Sequence, residues 1–107
     1  MSAYPDARRP IRLETASFMT TATPATTLHD VVVTHEQTRA QWRAGSASIV
    51  GGRIVVTART APPAGMFDRP ASTYDITAND GGDRLRHFPS VTFDRDASKP
   101  PRRFVFL

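Results

Sequence analysis

Three residues in the first half of the chain, His29, His35 and Glu36, are of the types that bind zinc and related metal ions. Their spacing matches no known metal-binding motif, and the remaining histidine, His87, lies far away in the sequence. Scattered surface histidines explain such a set more simply. We therefore expect no bound metal ion and no other cofactor.

A second group of candidate ligands lies in the segment "NDGGD", where Asn79, Asp80 and Asp83 bring oxygen ligands close together, as a calcium-binding loop does. The segment lacks the alternating acidic positions and the final glutamate of an EF-hand. Asn, Asp and Gly are also the residues that tight turns use. The prediction is therefore a turn between two strands.

Hydrolytic chemistry would require a serine or threonine held near a histidine and a carboxylate. The candidate nucleophiles Ser46, Ser48, Ser72 and Ser90 lie in no sequence typical of a nucleophile elbow. The chain has no cysteine, which excludes thiolate nucleophiles, disulfides and cysteine-bound metal centres. These features predict a protein that is not an enzyme.

Two adjacent glycines, Gly51 and Gly52, lie in the most apolar stretch of the chain, "ASIVGGRIVVTART". A phosphate-binding glycine loop needs a helix after it, whereas β-branched residues follow here and favour a strand. Glycine readily adopts the positive φ that both central residues of a type I′ turn need, so we predict a hairpin that pairs Val50 with Arg53. Its predicted buried face comprises Ala47, Ile49, Ile54, Val56 and Ala58.

The basic residues are nearly all arginines and occur in local groups. The groups are Arg8 with Arg9 and Arg12, Arg39 with Arg43, Arg84 with Arg86, and Arg102 with Arg103. The net charge of +4 and the isoelectric point of about 10.6 favour an anionic partner. Platforms for single-stranded nucleic acid interleave aromatic with basic residues, whereas most aromatics here suit a core. Solvated charge and interfacial salt bridges are therefore the first interpretation, and nucleic-acid binding is the alternative.

The elements that must position these residues are short strands and turns. Nine prolines interrupt the chain often, which favours short strands and turns over long helices. A length of 107 residues and 39% hydrophobic content predict a single domain. Its N-terminal residues 1–10 form a flexible arm, and residues 11–107 form the folded part. Segment 34–44 has a capping box and a following glycine that suit a short helix, but we favour two strands joined by a turn near Glu36.

The predicted strands together describe an all-β sandwich or small barrel of about six short strands with long loops. They lie at 11–18, near 30–35, near 38–44, in the hairpin at 46–60, in a second hairpin at 73–93, and at 102–107. In the second hairpin, Pro89 marks a bulge or an edge position. One face of this hairpin is predicted to carry Tyr74, Ile76 and Ala78 on the first strand, and one side of its return strand to carry Leu85, Val91 and Phe93.

The last residues of the chain place two arginines before four apolar residues. Phe104 and Phe106 point to one side of a strand, and Val105 and Leu107 point to the other. We expect one side to pack on the domain and the other to meet a neighbouring subunit. The alternative is a central strand that is buried on both sides within one chain.

No run of about 18 apolar residues is present, and the N-terminus "MSAYPDARRPIRL" has no apolar signal-peptide core. We therefore expect no membrane association and a protein that is made and assembled in a cytoplasm.

Three segments, "RRPIRLETASF", "QWRAGSA" and "YDITANDGGDRLRHF", resemble the head–tail joining (head-closure) proteins of tailed bacteriophages, in fragments that span residues 8–93. Members of that family are small and all-β. The resemblance implies a non-enzymatic virion component, most simply a connector or neck ring protein that assembles in the host cytoplasm.

Such a protein would have neighbouring copies of itself and other virion proteins as partners, with non-specific DNA contact as a further expectation. Symmetric rings are held by loops and termini that reach onto neighbours. A capsid-cementing or tail protein, a basic nucleic-acid-binding barrel, and a small inhibitor or toxin–antitoxin partner are the alternatives. The predicted partner contacts are Tyr4, Arg8, Arg9, Arg102, Arg103, Phe104, Val105, Phe106 and Leu107.

Overall fold

The computed structural model of the protein describes residues 26–107. The predicted arm at residues 1–10, the predicted strand at 11–18 and the predicted contacts at Tyr4, Arg8 and Arg9 lie outside the described residues.

The described residues form one antiparallel sheet of six strands. The strands are β1 (Thr26–His35), β2 (Gln41–Val50), β3 (Arg53–Ala58), β4 (Thr73–Asn79), β5 (Leu85–Thr92) and β6 (Arg103–Phe106). Their order in the sheet is β5-β4-β1-β2-β3-β6. The all-β prediction is confirmed, and the helix alternative for residues 34–44 is wrong. No helix that could span a membrane occurs within residues 26–107.

The sheet curls into a half-barrel because its outermost strands, β5 and β6, meet at one end. Thr92 and Leu107 exchange two backbone hydrogen bonds, of 3.1 and 2.9 Å. The neighbouring residues Phe93 and Phe106 also pair. These contacts close one end of the half-barrel.

The glycine hairpin has the predicted turn and register. Gly51 and Gly52 have φ values of 56° and 78°, and Val50 pairs with Arg53. On the predicted buried face, Ala47, Ile54 and Val56 are buried, whereas Ile49 and Ala58 are half-buried. Both parts of the hairpin prediction are confirmed.

The connection between β1 and β2 follows the strand–turn–strand prediction, with a turn that begins at Glu36. β1 starts earlier than predicted, because Thr26 and Thr27 pair with β2 instead of lying in a loop. The β1–β2 register shifts on both sides of Val31, next to Asp30, which has a φ of 53°. β1 therefore carries a bulge at this point.

The second hairpin is present, but one side of its return strand differs from the prediction. Pro89 and Ser90 form a bulge that reverses the inward and outward alternation of β5. Val91 is buried as predicted, whereas Leu85 points outward and is 72% exposed. The prediction for Leu85 is wrong because it assumes an unbroken alternation along the return strand, which the bulge at Pro89 interrupts. The predicted inward residues of β4, namely Tyr74, Ile76 and Ala78, are all buried.

A loop plugs the core of the half-barrel. Met66 and Phe67, in the proline-rich segment between β3 and β4, are buried. The hydroxyl of Tyr74 donates to the carbonyl of Met66 at 2.9 Å, and the Arg95 guanidinium donates to the carbonyl of Phe67 at 2.8 Å. The Phe67 ring lies within 6 Å, centroid to centroid, of the rings of Trp42, Tyr74, Phe93, Phe104 and Phe106.

Strand β6 is buried on both sides within its own chain. Phe104 and Phe106 pack in the core, and Val105 on the other side is only 1% exposed. The loop after β5 supplies the hydrogen-bond partners of the Val105 backbone. Because the Val105 side chain is already buried, the side that a neighbouring subunit was expected to cover is not open at this residue. The alternative of a strand buried on both sides within one chain holds for Phe104, Val105 and Phe106, although β6 is an edge strand and not a central one. Leu107 remains 52% exposed.

Candidate functional site

The three histidines lie in separate places. The Nδ1 atom of His29 is 3.0 Å from the carboxylate of Asp30, and His87 hydrogen-bonds to Asp75 across β4 and β5. His35 is buried at the end of β1. Within residues 26–107, no three histidine or carboxylate side chains come together in a way that would hold a metal ion.

His35 forms a serine–histidine pair with Ser72, in which Nε2 lies 2.9 Å from Oγ. The backbone N–H of Thr38 donates to His35 Nδ1 at 3.1 Å. Because an N–H group only donates, Nδ1 carries the lone pair of the neutral ring and Nε2 carries the proton. Nε2 therefore donates to Ser72 and does not accept its proton, as a general base would. The pair links the turn after β1 to the residue before β4.

Glu36 connects the same turn to β4 and β5. Its carboxylate accepts a hydrogen bond from the hydroxyl of Thr73 at 2.6 Å and one from the backbone N–H of Ser90 at 3.0 Å. These bonds, with that from Thr73 as the largest cause, lower the pKa of Glu36. Ser90 has a φ of 54° and belongs to the bulge. Glu36 thus stabilises the bulge of β5.

The "NDGGD" segment forms the predicted turn between β4 and β5. The Asp80 carboxylate accepts the backbone N–H groups of Arg84 at 3.1 Å and Gly82 at 2.9 Å, and these bonds lower the pKa of Asp80. Asp83 lies 3.4 Å from Nε2 of His29. The hydrogen bond to Asp30 raises the pKa of His29.

The two edges of the sheet differ in what covers their backbone. At β6, the N–H of Val105 donates to the hydroxyl of Ser98 at 2.8 Å, and the carbonyl of Val105 accepts the N–H of Asp94 at 2.8 Å. Arg103 exchanges two backbone hydrogen bonds with Lys99. The segment 94–99 therefore satisfies the outer side of β6.

The outer side of β5 has no such cover among the described residues. The N–H of Asp80 donates to the carbonyl of Arg84 at 2.9 Å, which identifies the first hydrogen-bonded pair of the hairpin. Such pairs alternate along an antiparallel ladder, so the backbone groups of Leu85 and His87 point away from β4. No described residue pairs with this side of β5 before Thr92.

We call this segment, residues 85–88, the open edge. The exposed side chain of Leu85 stands beside its outward N–H and C=O groups. Unpaired strand edges are templates for the addition of another strand. The sequence prediction missed this site. The signal in the sequence was Pro89: a bulge at this residue reverses the alternation of β5, so that Leu85 and Val91 point to opposite faces.

The predicted partner contacts at the C-terminal strand divide into two groups. Phe104, Val105 and Phe106 are buried in this chain and are not accessible to a partner in this fold. Arg102, Arg103 and Leu107 are exposed.

A scan against protein-family models, a search of curated proteins and a search of solved structures all returned no match for this chain.

Proposed function

We propose that the protein is a non-enzymatic structural component of a tailed-phage virion, a connector or neck protein, that assembles by adding a neighbour's strand to its sheet. The open edge at residues 85–88 carries the proposal. Its outward backbone groups have no partner among the described residues, and Leu85 adds an exposed apolar side chain beside them. The resemblance of three sequence segments to head–tail joining proteins supports the virion assignment.

The partner strand comes from a neighbouring copy. A segment of one copy that pairs with a different surface of the next makes a head-to-tail contact, which builds rings when the rotation closes. The predicted arm at residues 1–10, with Tyr4 as its aromatic residue, is our candidate for the added strand. Backbone pairing supplies the affinity, and Leu85 supplies a local apolar contact.

The Leu85→Asp variant tests the open edge. A charge at an exposed edge position blocks strand addition without touching the core. Light scattering coupled to gel filtration should show an oligomer for the wild-type protein and a monomer with an unchanged circular dichroism spectrum for the variant. Val50→Asp is the matched control, because Val50 is also an exposed apolar residue but lies on β2, away from the open edge; it should keep the wild-type mass.

A wild-type protein that stays monomeric up to its highest soluble concentration would contradict the proposal, as would a Leu85→Asp variant that keeps its mass. Deletion of residues 1–10 should also give a monomer, and an intact oligomer after this deletion would exclude the arm as the added strand. The virion assignment itself is tested by the neighbouring genes, which should encode other virion proteins.

A further inference from the structure

Carboxylates are few in the described part of the sheet. Strands β2, β3, β5 and β6 contain no aspartate or glutamate, and the whole stretch from residue 41 to residue 67 has none. The acidic residues of the strands are Asp30 on β1 and Asp75 on β4. The outward side of β2, β3 and β6 therefore presents arginine, serine and threonine side chains together with Val50, Val55 and Val105, and no carboxylates.

Three hydrogen bonds hold the arginines of β2 and of the end of β3 next to each other. The N–H of Arg59 donates to the carbonyl of Ala44 at 2.7 Å, and the hydroxyl of Thr60 donates to the carbonyl of Arg43 at 2.8 Å. The indole N–H of Trp42 donates to the carbonyl of Thr60 at 3.1 Å. Residues 59 and 60 are thereby fixed against β2, beside Arg43.

Gly45 makes room for the stem of Arg59. A Cβ at position 45 would lie 2.8 Å from Cγ of Arg59 and 3.0 Å from the carbonyl oxygen of Thr57. The φ of Gly45 is 130°, a conformation that other residues rarely adopt. The stem of the Arg59 side chain therefore lies over β2 at Gly45.

Four arginines line this surface, and we call them the arginine band. Arg43 and Arg59 line one depression of about 350 Å³, and Arg59 and Arg102 line a second of about 500 Å³. Arg103 pairs with Thr57 on β3. No described carboxylate lies within ion-pair distance of these four guanidinium groups.

Two further ionisable groups face the first depression, Asp30 and His29. The Asp30 carboxylate lies 3.0 Å from Nδ1 of His29, and two arginines face the single carboxylate of this depression. The other charged residues of the surface, Arg53 and Asp94, form an ion pair of 3.4 Å with each other. The arginine band thus keeps a net positive charge.

We propose that the arginine band binds the phosphate backbone of double-stranded DNA without sequence preference. Guanidinium and hydroxyl donors are the side-chain groups that contact phosphates. The aromatic residues of β2 and β6, Trp42, Phe104 and Phe106, are buried, so these strands offer no ring on which an unpaired base stacks.

The test measures binding of a fluorescent DNA duplex by anisotropy over a series of salt concentrations. The logarithm of the binding constant should fall linearly with the logarithm of salt concentration, because each contacted phosphate releases counterions. The double variant Arg43→Ala with Arg59→Ala should weaken binding and reduce the magnitude of this slope by about 2. Duplexes of different sequence should bind equally.

The matched control is Arg69→Ala with Arg84→Ala, which removes the same charge from exposed loop positions outside the band and should change the slope less. Equal effects of the two double variants would overturn the proposal, because net charge alone would then explain binding. Tighter binding of a single strand than of the duplex would overturn it too. So would equal competition by poly-L-glutamate at the same charge concentration, which would indicate an acidic protein partner.

DNA binding by the arginine band and assembly through the open edge are tested by different variants, so either proposal can be contradicted without the other. The Leu85→Asp variant should keep the salt dependence of DNA binding measured at a concentration where both proteins are monomeric, and the arginine variants should keep the wild-type oligomer.

Discussion

The two edges of the sheet belong to one half-barrel, yet within residues 26–107 one edge is covered and the other is not. The outer side of β6 bonds to segment 94–99 of the same chain, and Val105 is 1% exposed. The outer side of β5 meets no described residue along 85–88, and Leu85 is 72% exposed. The difference lies in the segments next to each strand. A loop follows β5 and folds back along β6, whereas a tight turn precedes β5 and stays clear of its outer side.

The two edges contribute to different properties of the protein, the covered edge to stability and the open edge to assembly. An edge that its own loop covers contributes to the folded state of one molecule, since breaking it leaves buried polar groups without partners. An open edge contributes little to that state and is available to a second molecule. Variants at β6 should therefore change stability, and variants at the open edge should change association.

The largest expected effect comes from deleting residues 102–107. Each of Phe104 and Phe106 is a fully packed side chain whose loss costs about 3–5 kcal/mol, against a total of about 5–15 kcal/mol for a typical domain. We expect the truncated protein to be unfolded by circular dichroism and by dispersion of its NMR spectrum. The double variant Arg102→Ala with Arg103→Ala removes the charges alone and should fold. A cooperatively folding truncated protein would show that β6 is an accessory strand.

A smaller loss of stability is expected from Ser98→Ala. Ser98 is buried, and its hydroxyl accepts the N–H of Val105, so the variant leaves a buried donor without a partner. The free energy of unfolding, measured in urea, should fall by about 1–3 kcal/mol. Ser48→Ala, on the outward side of β2, should change it by less than about 0.5 kcal/mol. Equal effects of the two variants would mean that the hydroxyl of Ser98 does not close this edge.

The smallest expected effect is a loss of stability at low pH in the bulge next to the open edge. The pKa of Glu36 is lower in the folded protein than its ordinary value of 4.5, so its stabilisation is fully present above that value. This stabilisation is lost as the pH falls through the lower pKa of the folded state. Because Glu36 binds Ser90, acid should loosen the bulge of β5 first, which NMR amide shifts of Ser90 would report.

Glu36→Gln isolates the contribution of this carboxylate. The free energy of unfolding of the variant should depend less steeply on pH between about 2 and 5 than that of the wild type. Some pH dependence should remain in both proteins, because the pKa of Asp80 is also lowered by folding. Superimposable pH dependences would show that the Glu36 hydrogen bonds are as strong in the protonated form.

The parts of the fold that the sequence predicted are those whose signal is local. The paired glycines and the β-branched residues after them specify the turn, the register and the buried face of the β2–β3 hairpin without reference to the rest of the chain. The alternation of Tyr74, Ile76 and Ala78 does the same for β4. These patterns follow from the two-residue period of a strand and from the φ values of a turn.

The candidate sites depend on contacts between distant segments and could not be predicted in the same way. Phe67 plugs the core from within a proline-rich loop, and nothing in its local sequence indicates which strands it meets. The cover over Val105 comes from a loop that reads only as polar and turn-forming. The neighbourhood of Arg43 and Arg59 requires the pairing of β2 with β3 and the space above Gly45.

The closure of the half-barrel between Thr92 and Leu107 has a consequence for its internal motions. β5 is attached to β6 at this end only, while β4 pairs with β5 along its length. The alternating pairs leave the N–H groups of Leu85 and His87 without a partner among the described residues, whereas the N–H of Thr92 is bonded to Leu107. The amide protons of Leu85 and His87 should therefore exchange with solvent faster than that of Thr92, and docking of a strand on the open edge should slow their exchange.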